Sequence, residues 1–205
     1  MNAAETPRRN RLKSAAWLVF FGLTAPTSVV IEIPDAAMDA ITLHALAVFP
    51  NLLQAHYLAI PPQFRQWTPP TWDGVPSVPF TALEQICHVR DIEIDGYHRR
   101  FARTLNDDAP RLPNVDIEAL RLLRDYAHAD AQEVLACFRQ ARNTTLELLI
   151  GLTEEQLLRP AVFEDRPTTM RGLAQSLSSH DQQHLAGLQW LRVQAEGPKR
   201  FAWHK

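Results

Sequence analysis

Counting from Met170 in alternating steps of three and four gives Leu173, Leu177, His180, His184, Gly187 and Leu191, the inward seam of an amphipathic helix. The helix opens near Thr168 or Thr169 and stops at Gly197-Pro198, a pair that ends helices. A helix of this length buries its single apolar stripe against other helices. Two seam positions are histidines. Residues i and i+4 lie one turn apart on the same face, so His180 and His184 can aim their ring nitrogens at one point. A buried imidazole needs a partner for each nitrogen. Two readings follow: a pair of ligands to one divalent cation, or two hydrogen-bonded structural histidines.

Composition limits what the rest of the chain can form around that helix. The 205 residues, 46% of them hydrophobic, suit one domain with a sizeable core. Lys and Arg (21) nearly balance Asp and Glu (23), so there is no broad cationic field and nucleic acid is not an expected partner. The basic run Arg8-Arg9-Asn10-Arg11-Leu12-Lys13 reads as a solvated tail. Cys87 and Cys137, the two cysteines, make no disulfide framework, which points to a reducing, cytoplasmic location. The run Ala15 to Leu23 after the basic cluster is similar to a secretory signal, with export as the alternative location if residues 1–25 are one. Leu23-Thr24-Ala25 is no A-x-A site, and the run is too short to span a bilayer, so no membrane is expected. The preferred division is a leader over residues 1–37, disordered or an over-extended start, then a bundle over 38–196 and a tail over 197–205.

Within the bundle, helix one runs from Asp35 to about Leu58 with Ile41, Ala45, Val48, Leu52 and Ala55 on one stripe and Pro50 as a kink or boundary. His44 and His56 read as surface or capping histidines. Residues 59–80 hold six prolines and the anchors Trp67, Trp72 and Phe80. Such a loop either walls a pocket or covers an open bundle end, and the second reading is preferred. Helix two starts at the capping box Thr81-Ala82-Leu83-Glu84 and reaches about Leu105, with Leu83, Cys87, Ile94, Tyr97 and Phe101 inward. His88 lies at the edge of that stripe. Glu84 and Asp91 beside it either fix its tautomer or belong to a polar face with i,i+3 and i,i+4 pairs, the preferred reading. A short helix over 116–127 turns Leu120, Leu123 and Tyr126 inward. Helix three spans about Asp130 to Ile150 with Val134, Ala136, Cys137, Phe138, Ala141, Leu146, Leu148 and Leu149 inward. A second capping box follows at Thr153-Glu154-Glu155-Gln156. No stretch sustains period-two alternation, so the fold class is all-α, an antiparallel four-helix bundle with a long first connection.

Several chemistries fall away. Asp181 stands where an HExxH protease has glutamate, no G-x-S-x-G elbow occurs, and paired E-x-x-H motifs are absent. Ser176, Ser178 and Ser179 read as helix-surface hydroxyls, and Cys87 as a buried apolar cysteine. There remain three histidines from two helices, His88, His180 and His184, which as neutral ligands leave coordination positions open for substrate. The segments Cys87-His88-Val89-Arg90-Asp91-Ile92-Glu93 and His180-Asp181-Gln182-Gln183-His184 resemble the DinB/YfiT-like superfamily. The resemblance extends from about Met38 to Arg192 and includes the Thr153 to Leu157 turn. It implies a four-helix bundle with a long first crossover loop and short extra helices, often a homodimer. It also implies a divalent metal on His88, His180 and His184; characterised members of the superfamily include metal-dependent transferases that use low-molecular-weight thiols and a thiol-dependent maleylpyruvate isomerase, while many others have no known reaction. The expected function is therefore a metal-dependent S-transferase or hydrolase acting on a small-molecule substrate. The alternative is a non-catalytic dimeric or sensor bundle with structural histidines. Zinc, nickel, manganese and iron all suit three nitrogens, and the sequence assigns no general base.

Overall fold

Four threonine and aspartate caps set where the long helices begin. Asp39 accepts from the Thr42 N–H at 2.8 Å and opens α1 (Ala40–Ala59). Thr81 and Glu84 form the expected capping box at the head of α2 (Ala82–Asp91). Asp130 opens α5 (Ala131–Gly151), and Thr169 opens α7 (Met170–Glu196). Each cap satisfies backbone donors that the first turn leaves orphaned. A computed structural model of the chain describes residues 16–20, 29–33 and 37–197. It divides into two units, one ending at Asp35 and one beginning at Ala36.

In the first unit, β1 (Ala16–Phe20) pairs antiparallel with β2 (Val29–Ile33), Ala16 opposite Ile33. The rest of the expected leader, with the basic run and the signal-like cleavage region, lies outside the described residues, as does the tail beyond Gly197.

The second unit is the bundle. Helix α2 continues without a break through a π-helical segment, Ile92–His98, into α3 (Arg99–Asn106). Helices α1, α5, α2 and α7 form a ring in which each long helix packs on two others, and α2 lies beside α7. Arg171 reaches the Ala37 carbonyl and Gln189 reaches His56, so α1 and α7 run the same way. Glu93 meets Arg142 and His98 meets Thr145, so α2 and α5 also run together. The other two neighbouring pairs are antiparallel, so the expected antiparallel bundle holds for half of the ring. The long crossover from Ile60 to Thr81 exists because α1 and α2 sit diagonally. The core between the helices is built from Phe49, Leu53, Ile86, Phe138, Leu185 and Leu188 among others.

The second connection carries β3 (Arg111–Leu112) and α4 (Ile117–Leu123). After α6 (Glu154–Leu157), which begins at the second capping box, come β4 (Pro160–Phe163) and β5 (Arg166–Thr169). They form a small sheet in the order β3-β4-β5. Its β4–β5 turn places Glu164 and Asp165 at φ 52° and 58°, the left-handed pair that a two-residue hairpin turn demands. Strands of two and four residues are too short for alternation to register, which is why the sequence reads as purely helical here.

Three apolar stripes differ from expectation. In α1 the buried side chains are Thr42, Leu43, Leu46, Phe49, Pro50, Leu53 and Tyr57, while Ile41 is 83% exposed. An Ala- and Leu-rich helix is apolar on several faces, and the bulky Phe49, Leu53 and Tyr57 decide which one turns inward. In α5, Ala136 and Cys137 face solvent while Arg142 and Thr145 are buried. In α4, Leu123 is exposed at the end of the short helix, while Tyr126 beyond it is buried against Phe80.

Candidate metal centre

The caps at Thr81 and Thr169 fix where α2 and α7 start, and their antiparallel packing brings three imidazoles together. His180 Nε2 lies 3.3 Å from His88 Nε2 and 3.1 Å from His184 Nε2. One nitrogen of each ring lies within 4.8 Å of the others. His88 and His184 are buried and His180 is half-buried.

The tautomer of His184 is determined by Gln85. Gln85 Nε2 donates to the Val78 carbonyl at 2.8 Å and to Ser77 Oγ at 2.9 Å. Its Oε1 therefore faces His184 and accepts from Nδ1–H. That leaves the Nε2 lone pair of His184 pointing at the other two rings. Burial pushes the pKa of His88 down to about 4 and that of His180 down to about 3, and it lowers His184 as well. The neighbouring His88 imidazole and the Arg100 and Arg142 guanidiniums add to the effect on His180. All three rings are thus neutral near pH 7, the form that binds a metal.

The donor set fits one divalent ion. Three nitrogens each about 2.0–2.1 Å from a common ion stand roughly 2.8–3.4 Å apart for angles between octahedral and tetrahedral, and the two short separations here, 3.3 and 3.1 Å, fall in that range. A single N–H between the rings bridges one pair well, whereas a cation serves all three. Nδ1 of His88 and of His180 has no protein partner, so no protein hydrogen bond competes for the orientation of either ring.

The charged neighbours of the histidines do other work. Glu84 closes the capping box and pairs with Arg121 at 3.1 Å. Asp91 accepts from the Tyr126 hydroxyl at 2.5 Å and pairs with Arg90 and Arg124. Neither carboxylate bonds to His88, so neither fixes its tautomer. Nor do they form the expected i,i+3 or i,i+4 pairs, since their partners come mainly from the second connection. Asp181 is buried against Arg142 at 2.7 Å and unavailable as a base. Cys87 is fully buried, and burial pushes its thiol up to about 12, which matches its reading as an apolar filler. His44 is exposed and His56 half-buried on the outer surface, as expected.

The family model for the DinB superfamily matches residues 37–188, the same segment that forms the bundle. The chain belongs to the DinB superfamily. Among solved structures, this DinB-superfamily bundle is similar to YfiT from Bacillus subtilis, with a TM-score of 0.64 and 22% identity over 80% of this chain and 87% of that one. YfiT is described as a probable metal-dependent hydrolase with an unusual four-helix bundle topology. At that identity the likeness shows the fold. No curated protein matches the sequence.

In this DinB-superfamily chain the three imidazoles form one wall of a cavity of about 970 Å³. Tyr97 within the π-helical segment and Arg100 just beyond it, Ser77 and Val78 from the first crossover, and Phe163 and Glu164 from the β4–β5 hairpin also line it. The crossover therefore walls the cavity with Ser77 and Val78. Its Trp72 stacks on Trp190 at 6.0 Å and covers the bundle surface, so both readings of that loop are realised by different residues.

Gln85, Tyr97 and Arg100 are the site residues that the sequence reading missed. Gln85 stands three residues before His88 and so shares its face, a signal that was available. Arg100 gave none, because twelve residues beyond His88 a regular helix points about 120° away. The π turns of Ile92–His98 take extra residues per turn and carry Arg100 back toward the histidine face.

Proposed function

We propose that His88, His180 and His184 hold one divalent ion and that the protein is a metal-dependent enzyme, a hydrolase or a transferase of low-molecular-weight thiols, acting on a small molecule in the adjoining cavity. The observation that carries this reading is the convergence of three neutral imidazole nitrogens on one wall of a large cavity. Three protein ligands leave positions for a substrate, the pattern of catalytic rather than closed sites. A divalent ion supplies Lewis acidity, which makes the anion of a water or a thiol available near neutral pH. Gln85 holds His184 with its proton on Nδ1 and its lone pair forward. The half-buried His180 and the cavity wall give substrate access to the three nitrogens. Zinc, nickel, manganese and iron remain equivalent on the donor set alone.

Turnover tests the reading. Chelator-stripped and reloaded protein is assayed with an activated ester in water, and with a thiol plus an electrophile. Metal-dependent product in either assay, lost in His180→Ala, is the expected result. Product formed equally by the stripped protein sinks the mechanism and favours a bundle with structural histidines.

The proposal extends to a homodimer in the cytoplasm. Ile41, Leu52 and Leu58 on the outer face of α1 are exposed apolar side chains of the kind a second copy covers, and the two cysteines are free. Sedimentation of the full chain as a monomer at micromolar concentration would remove the dimer. Among the described residues no helix is long and apolar enough to cross a membrane.

A further inference from the structure

Facing the cavity beside the three neutral imidazoles is a buried cation, Arg100. Arg100 is 5% exposed, and its guanidinium carbon sits 4.2 Å from the centre of the Phe163 ring and 4.8 Å from that of Tyr97. Its Nε has no hydrogen-bond partner, and among the described residues it forms no ion pair. The contrast is Arg142, also buried, whose five N–H groups all reach Glu93, Asp181 or the Leu46 carbonyl. Burying a guanidinium without a carboxylate is costly, and aromatic faces offset only part of that cost.

The backbone makes room for this side chain. A Cβ on Gly96 would stand 3.3 Å from Arg100 Nη1, tighter than most such contacts, and 3.4 Å from Val115, at the edge of ordinary contact. The Tyr97 ring links the two halves of the cavity, with its centre 6.4 Å from that of His180. Burial lowers the pKa of Arg100; Tyr97, whose hydroxyl interacts with the guanidinium, and then Glu164, on the exposed β4–β5 turn, favour its charge, and Glu164 does so without an ion pair.

We propose that Arg100 anchors an oxyanion of the substrate, a carboxylate or a phosphoryl group, while the reacting end of the same molecule lies over His88, His180 and His184. The planar fork of a guanidinium matches the two oxygens of such a group. The placement of the reacting end rests on the metal-dependent reading above; the anion site itself does not. Substrates of this enzyme are then small acids or phosphate esters rather than neutral molecules.

Ligand-observed NMR on the metal-free full-length protein tests the anion site apart from turnover. The probes are propionate, inorganic phosphate and neutral propionamide. Saturable binding of propionate or phosphate, with none of propionamide, is expected, and the tighter of the two anions assigns the carboxylate or phosphoryl class. Arg100→Met should weaken that binding at least tenfold and Arg100→Lys less. Arg100→Gln, which removes the charge but keeps a polar side chain, should weaken it as much as the Met variant and decides the matter if that variant does not fold. Equal binding by Arg100→Met, or equal binding of propionamide, overturns the proposal. So does anion binding that emerges only in Glu164→Gln, because Glu164 would then be the guanidinium's own counter-ion. Metal-dependent turnover can fail while anion binding stands, and the reverse, so the two readings fail separately.

Discussion

At the scale of single residues, the histidines are held neutral by burial, and this gives the protein an acid limit. An imidazole in the unfolded chain titrates near 6.5, whereas His88 in the fold titrates at about 4. Between those values the unfolded chain binds the extra proton. Stability of the metal-free protein therefore falls as pH drops from about 6.5 toward 4, on the order of 3 kcal/mol from His88 alone. The urea midpoint measured near neutrality and at about pH 4.5 should fall in the wild type and fall less in His88→Gln. An equal fall in both would remove His88 as the cause. The pairing of His180 with His184 was legible because their spacing and seam position are sequence properties, whereas His88 entered by elimination and through the family resemblance. Their tautomers were not, since the donor that fixes His184 comes from Gln85, whose orientation depends on the Ser77 and Val78 backbone across a loop.

Among the elements, helix starts marked by threonine caps were the most readable, because caps are local chemistry: Thr81, Thr153 and Thr169 all accept the backbone N–H three residues on, whereas α1 starts after the Asp39 cap and not at Asp35. Faces were less readable. The seam of α7 is buried along its length apart from the half-buried His180, but in α1 several apolar stripes compete and packing decides. The π segment is invisible to a count based on 3.6 residues per turn, and with it the inward position of Arg100. The approach of the crossover to α7 depends on Gly187, where a Cβ would stand 2.2 Å from Ser77 Oγ and 3.4 Å from Gln85 Nε2. Gly187→Ala should push Ser77 and Gln85 away, cost about 1–3 kcal/mol in urea unfolding, and loosen the hold on His184. Metal affinity by chelator competition should fall about 10–100-fold, as in Gln85→Ala. Unchanged affinity in both variants would show that Gln85 does not position the ligand.

Across the whole molecule, the four long helices are keyed to one another by Arg142. From α5 it bonds Glu93 of the π segment at 2.9 Å, Asp181 of α7 at 2.7 Å and the Leu46 carbonyl of α1 at 3.0 Å. Asp181 follows His180 directly, so the network also sets the rotation of the metal-site helix. Arg142→Met leaves two carboxylates buried without their cation and should cost about 3–5 kcal/mol in urea unfolding, while replacing Arg142, Glu93 and Asp181 together with apolar residues should recover much of it. A single-variant cost near zero would contradict the keying role. None of this was legible in the sequence, where Arg142 and Thr145 lie outside the apolar stripe read for this helix. The bundle itself was legible, since its length, helix count and first crossover follow from seams, caps and prolines. The central claim is that the three imidazoles bind one metal ion per chain. Elemental analysis of untagged protein, stripped and reloaded, tests it most directly. One equivalent in the wild type, lost in each of His88→Ala, His180→Ala and His184→Ala with the fold intact by circular dichroism, is the result the structure predicts. Stoichiometric metal retained by all three variants would contradict it.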